Sequence, residues 1–178
     1  LNSVTLDSTG VPKMAEGPSR MVEASGPRTY TLTTGEEKID LSKKNLGSAD
    51  VALVAAWLQR REVSAALASV NFSGNPLTGA TYNAFMGRWE NIDSDLAGFI
   101  ALCSVLGKLN EVNLGDCHLG PASVAELAKV FRDADAVVAR LILDENPLTG
   151  GWRSTDFDTD ITGITDLCDT LKTSSVTE

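Results

Sequence analysis

Asp156, Asp158 and Asp160 alternate along the chain, as do Asp93 and Asp95, and clustered carboxylates are what hard cations bind. His118 adjoins Cys117, the one place where a nucleophile and its base could be assembled. The residues around both groups argue against these chemistries. No EF-hand glycine and closing glutamate follow the acidic runs, and carboxylates just ahead of a helix are favoured by capping and the helix dipole alone. His118 is the only histidine, its neighbour Cys117 belongs to a repeated pattern, and no base-orienting motif accompanies the pair. The glycine-rich phosphate-binding loops are also missing from the sequence. The expectation is a chain that is not an enzyme and has no metal site and no cofactor.

Recognition chemistry is better represented. ATYNAFMGRWENIDSD carries Tyr82, Phe85, Met86, Arg88 and Trp89, and GWRSTDFDTD carries Trp152, Arg153 and Phe157. Aromatics and arginine are the residue types that anchor interfaces, which nominates Trp89 and Trp152 as partner contacts. The same rings would serve equally to seal the ends of neighbouring helices, because Trp and Phe are usually substantially buried.

The elements that position these residues follow from an internal repeat. LNEVNLGDCHL places Leu109, Val112, Leu114, Cys117 and Leu119 at offsets that recur in LNSVTLDSTGV, LASVNFSGNPL and VARLILDENPL. EKIDLSKKNL is a weaker fifth copy, with Ile39, Leu41 and Leu46 in frame and Lys44 in the Asn/Cys slot. Each alternating portion predicts a short strand, and the apolar pattern of helical period after it predicts a helix. Helices are expected over Asp50 to Arg61, Asp95 to Leu106, Pro121 to Arg132 and Asp160 to Leu171, with Pro121 in a first turn and Asp95 and Asp160 as N-caps. A longer repeat overlies the short one. NPLTG occurs at both Asn75 and Asn146, and Gly98 of one helix corresponds to Gly163 of another. Residues 12–34, rich in proline and glycine, are expected to be irregular, with an extra short strand around Tyr30 to Thr33.

This pattern resembles the leucine-rich repeat, and the alternation of a Cys-bearing with an Asn-bearing unit is similar to its ribonuclease-inhibitor-like subclass. The resemblance implies an α/β solenoid: a curved parallel sheet on the concave side, helices on the convex side, and a single domain over 1–178. About five strand-bearing units would belong to it, and the chain reads as a piece of a longer array. Stacked units bury a spine that no unit could bury alone. Asn75 and Asn146, with Cys117 in the equivalent slot, would be structural, satisfying backbone groups where the chain leaves each strand. Loss of Asn75 should cost on the order of 1–3 kcal/mol.

Strand alternation puts Asp40, Asn71, Asn113, Arg140 and Ile142 on the open face, a polar and mildly acidic row suited to a protein partner of unknown identity. The expected function is a non-enzymatic protein–protein interaction module. The alternatives are a GTPase activator or actin-regulatory scaffold, as in similar arrays, or a structural spacer in a large assembly. The formal charge of −9 argues against nucleic-acid partners and anionic membrane surfaces, and no apolar run approaches the ~20 residues of a bilayer-spanning helix. Cys103, Cys117 and Cys168 lie in apolar patterns without C-x-x-C spacing, so reduced core thiols and a cytoplasmic location are expected.

Overall fold

The structure is a computed structural model, described here for residues 1–10, 26–83, 85–132, 136–151 and 157–173. Its elements in chain order are β1 (Ser3–Asp7), β2 (Thr29–Thr33), β3 (Lys38–Asp40), α1 (Ser48–Leu58), α2 (Arg61–Ser64), β4 (Ser69–Asn71), β5 (Thr81–Asn83), β6 (Arg88–Glu90), α3 (Ala97–Leu106), β7 (Glu111–Asn113), α4 (Pro121–Arg132), β8 (Arg140–Ile142) and α5 (Thr162–Thr173).

These elements correct the expected leucine-rich-repeat solenoid. Among the described residues the chain is a small mixed α/β protein with five helices and three short sheets, two of them antiparallel hairpins and one a four-stranded parallel sheet. The first repeat copy does not join the parallel sheet. β1 instead pairs antiparallel with β2, Ser3 opposite Thr33 and Asp7 opposite Thr29. Cross-strand chemistry explains the choice: the Thr5 and Thr31 hydroxyls lie 2.9 Å apart, and the Thr29 hydroxyl donates to Asp7 Oδ1 at 2.7 Å. On the inner face Tyr30 and Leu32 are buried. The loop after the first NPLTG likewise folds on itself, β5 against β6. The expected short strand around Tyr30 to Thr33 is therefore β2, and what the repeat pattern could not show is its pairing with β1.

The other four copies stack in chain order, β3-β4-β7-β8, with Ile39, Val70, Val112 and Leu141 in one register row. That row points toward the helices. α1 packs on α3, α3 on α4 and α4 on α5, and Phe72, Leu114, Phe99, Leu102 and Leu127 fill the space between sheet and helices with at most 1% exposure. Pro121 opens α4, where its missing N–H and preset φ cost nothing. α1 starts earlier than Asp50 because the Asp50 carboxylate, at the third helical position, accepts the Gly47 N–H at 2.9 Å. The same buried carboxylate accepts the Thr9 N–H and hydroxyl, each at 2.7 Å, and the Tyr30 hydroxyl at 3.0 Å, which ties the β1–β2 hairpin to the helix start. Burial and the bond to Asp50 push the Tyr30 phenol far above its ordinary pKa.

The chain leaves β4 and β8 through a hydrogen-bonded asparagine and β7 through Cys117. Asn75, fully buried, donates to the carbonyls of Leu41 (2.9 Å) and Phe72 (2.6 Å) and accepts the Leu46 N–H (2.9 Å). Asn146 donates to Leu114 and Leu143 and accepts the Cys117 and Leu119 N–H groups. Each of these side chains bridges its own turn to the turn of the preceding unit. Cys117 directs its thiol to the Phe72 and Gly115 carbonyls at 3.3 and 3.4 Å.

Candidate functional site

Two adjoining surfaces carry the candidate functional residues. The first is the open face of the parallel sheet. Asp40, Asn71, Asn113 and Ile142 share one register row there, and Lys38, Ser69, Glu111 and Arg140 share the next but one. Asp40, Asn71 and Asn113 help line a groove of about 250 Å³. Each of the three is held by the same local device, a side-chain oxygen accepting the N–H two residues on: Ser42 at 2.9 Å, Ser73 at 3.0 Å and Gly115 at 3.0 Å. Side chains fixed in this way lose little entropy on meeting a partner. The bonds from Ser42, its backbone N–H foremost, and the nearby Lys44 charge hold the Asp40 carboxyl below the usual range. Arg140 pairs with Glu111 across the strands at 3.1 Å, and Ile142 is half-buried in the outermost strand of that sheet.

The second surface lies where the parallel strands end, which is where open α/β sheets commonly bind ligands. Turns following β3, β4 and β7 meet the β5–β6 hairpin in a cleft of about 240 Å³, with Lys43, Gly74, Asp116 and His118 among its lining residues beside Trp89. The Trp89 ring stacks on the buried His118 imidazole with centroids 3.7 Å apart and planes tilted by 31°, and Tyr82 meets Trp89 edge-on at 5.6 Å. Asp116 Oδ1 lies 4.0 Å from His118 Nδ1. Trp89 is thus half-buried in an aromatic stack. The most exposed apolar groups of the hairpin are at its tip, Phe85 at 84% and Met86 at 48%. Sequence reasoning named these two only as members of the loop and favoured Trp89; the signal that distinguishes them is Gly87, whose left-handed φ of 64° turns the hairpin and leaves the residues before it at the apex. Trp152 lies outside the described residues.

The carboxylates and thiols have structural surroundings. Asp93, in the loop after β6, accepts the Gly120 N–H (3.1 Å), the Ser123 N–H (3.0 Å) and the Ser123 hydroxyl, capping α4 from a distant part of the chain. Asp95 and Asp160 accept the N–H groups of Ala97 (3.2 Å) and Thr162 (3.0 Å) at the starts of α3 and α5. Asp93→Ala should lower stability by roughly 2 kcal/mol, the upper end for a lost cap, and Asp93→Asn by less, read as a shift of the urea midpoint at constant m-value. Burial pushes the Cys103 thiol up to about 12 and Cys117 higher still, which leaves both as poor nucleophiles at neutral pH. Cys168, on α5, is exposed rather than buried in the core.

No described helix is long and apolar enough to cross a membrane. Comparison of the chain with known protein families and with curated proteins gives no match.

Proposed function

We propose that this chain is a non-enzymatic protein–protein interaction module that docks a protein partner on the open face of its four-stranded parallel sheet, with the tip of the β5–β6 hairpin as an apolar anchor beside it. The observation that carries this reading is the row Asp40, Asn71 and Asn113, three polar side chains locked by the same local hydrogen bond and lining one groove. Phe85 and Met86 add exposed apolar area of the kind that becomes a hot spot when covered. A protein carrying nine excess negative charges favours a partner with a basic or neutral docking face. Three free thiols accord with a reducing, cytoplasmic setting.

The test starts from a partner captured by the intact chain, identified and purified. Direct titration of that partner should then show at least a tenfold loss of affinity for Asn71→Arg and for Phe85→Ser, with the thermal midpoint of both variants unchanged. Retention of wild-type affinity by Asn71→Arg would remove the sheet face from the interface. A spacer role, with contacts only at the two ends of the stack, predicts that neither change matters.

A further inference from the structure

We propose that the cleft between the strand-end turns and the β5–β6 hairpin is a binding site for a carboxylate carried on a small or side-chain-sized group. Two cations line this cleft, in a chain whose net charge is −9. Lys43 is exposed, its ammonium has no ion-pair partner among the described residues, and its stem runs across Gly74, where a Cβ would lie 2.9 Å from Lys43 Cγ. Glycine at position 74, with φ at 74°, is what lets the lysine lie along the strand-end turn. The Arg28 guanidinium reaches the same place, donating from Nη1 to the Lys43 carbonyl at 3.1 Å, and has no acidic partner among the described residues. That bond leaves its remaining N–H groups to present to an anion.

The shape of the site selects the ligand. A volume of about 240 Å³ falls below the ~300–1,000 Å³ of pockets for drug-sized molecules, so the occupant is small. One side is the Trp89 ring, stacked on His118, a flat apolar surface for the methylenes or the plane of the bound group. Asp116 contributes a negative charge on that side, which disfavours a doubly charged phosphate more than a singly charged carboxylate. The overall negative charge does not forbid an anion here, because charges beyond a Debye length of ~8–10 Å are largely screened. A carboxylate of this kind occurs on a glutamate or aspartate side chain of a protein partner and on free small acids.

The test titrates the full ¹⁵N-labelled chain, at constant ionic strength, with N-acetylglutamate N-methylamide, its glutamine counterpart, acetate and inorganic phosphate. The glutamate probe should shift the Lys43, Gly74 and Asp116 amides and the Trp89 indole N–H saturably, with affinity no tighter than the order of millimolar, because Arg28 and Lys43 are exposed and exposed ion pairs contribute little. The glutamine probe should bind at least tenfold more weakly. Arg28→Gln/Lys43→Gln should bind the glutamate probe at least tenfold more weakly while the rest of the spectrum is unchanged. Acetate as effective as the glutamate probe assigns the site to free acids, and a clear preference for the glutamate probe assigns it to a partner's side chain. Equal binding of the glutamine probe, tighter binding of phosphate, unchanged binding by the double variant, or no saturable shift with any probe overturns the proposal. No protein partner enters this experiment, so its failure leaves the sheet-face docking reading intact, and the reverse holds too.

Discussion

Replacing Gly98 with alanine should destabilise the protein by about 3 kcal/mol or more, the upper end of what overpacking a core costs. The added Cβ would lie 2.0 Å from the Ser48 carbonyl oxygen and 3.1 Å from the Ala52 backbone nitrogen. Both are backbone atoms of α1, so no side chain can swing aside, and α1 and α3 would have to move apart along their whole contact. The Gly98 N–H also faces the Ser48 hydroxyl at 3.3 Å, a bond that separation would stretch. Gly163 repeats the arrangement, its added Cβ 2.1 Å from the Pro121 carbonyl oxygen of α4. Gly163→Ala should be severe as well. Gly107→Ala is the control. Its Cβ would meet a Val130 methyl carbon at 3.3 Å and Ala136 at an ordinary 3.7 Å, on a backbone with φ of −58°, so the change should fall within about 1 kcal/mol of neutral. Thermal unfolding with circular dichroism separates the cases. At roughly 2–4 °C per kcal/mol for a chain of this size, Gly98→Ala should melt roughly 6–12 °C lower. A melting point within about 2 °C of wild type, roughly 0.5–1 kcal/mol, would mean that the helices are not packed this closely.

The second large effect is expected at Asn75. Asn75→Ala strands the Leu46 N–H and the Leu41 and Phe72 carbonyls in a fully buried turn, and each unsatisfied buried group costs roughly 1–3 kcal/mol. Some relaxation around the smaller side chain is expected, so the net loss should be about 3 kcal/mol. Asn75→Asp should be no better, because a carboxylate cannot donate to the two carbonyls. Asn146→Ala removes a nearly identical set of bonds, yet Asn146 is only half-buried and water can replace part of what is lost. Urea midpoints should therefore rank wild type above Asn146→Ala and Asn146→Ala above Asn75→Ala. Equal midpoints for the two variants would show that solvent reaches both turns alike.

Periodicity made several elements legible before any coordinates. Four helices and the strands β3, β4, β7 and β8 lie where the repeat offsets place them, with helix boundaries within a few residues, because a strand's alternation and a helix's 3.6-residue period are local properties of the chain. The coincidence of Gly98 with Gly163 was also visible, though the carbonyl each approaches was not. Long-range pairing was hidden. β1 carries the same apolar offsets as its relatives, but nothing within it says that Thr31 and Thr29 lie opposite Thr5 and Asp7, since those partners are contributed by a segment more than twenty residues away. The aromatic loop shows the same limit, since composition identifies its rings without telling Trp89, stacked on His118, from Phe85, left in solvent.

By itself, then, the amino-acid order determined the repeating strand–turn–helix units, the polar row on one strand face and the asparagines at the turns, all consequences of spacing within about ten residues. Only the tertiary structure decided that the first unit leaves the parallel sheet for a hairpin, that Asp93 caps a helix 27 residues away, and that Arg28, Lys43 and Trp89 share one cleft. The physical reason is that these outcomes depend on which distant groups satisfy one another's hydrogen bonds and charges once the core has closed.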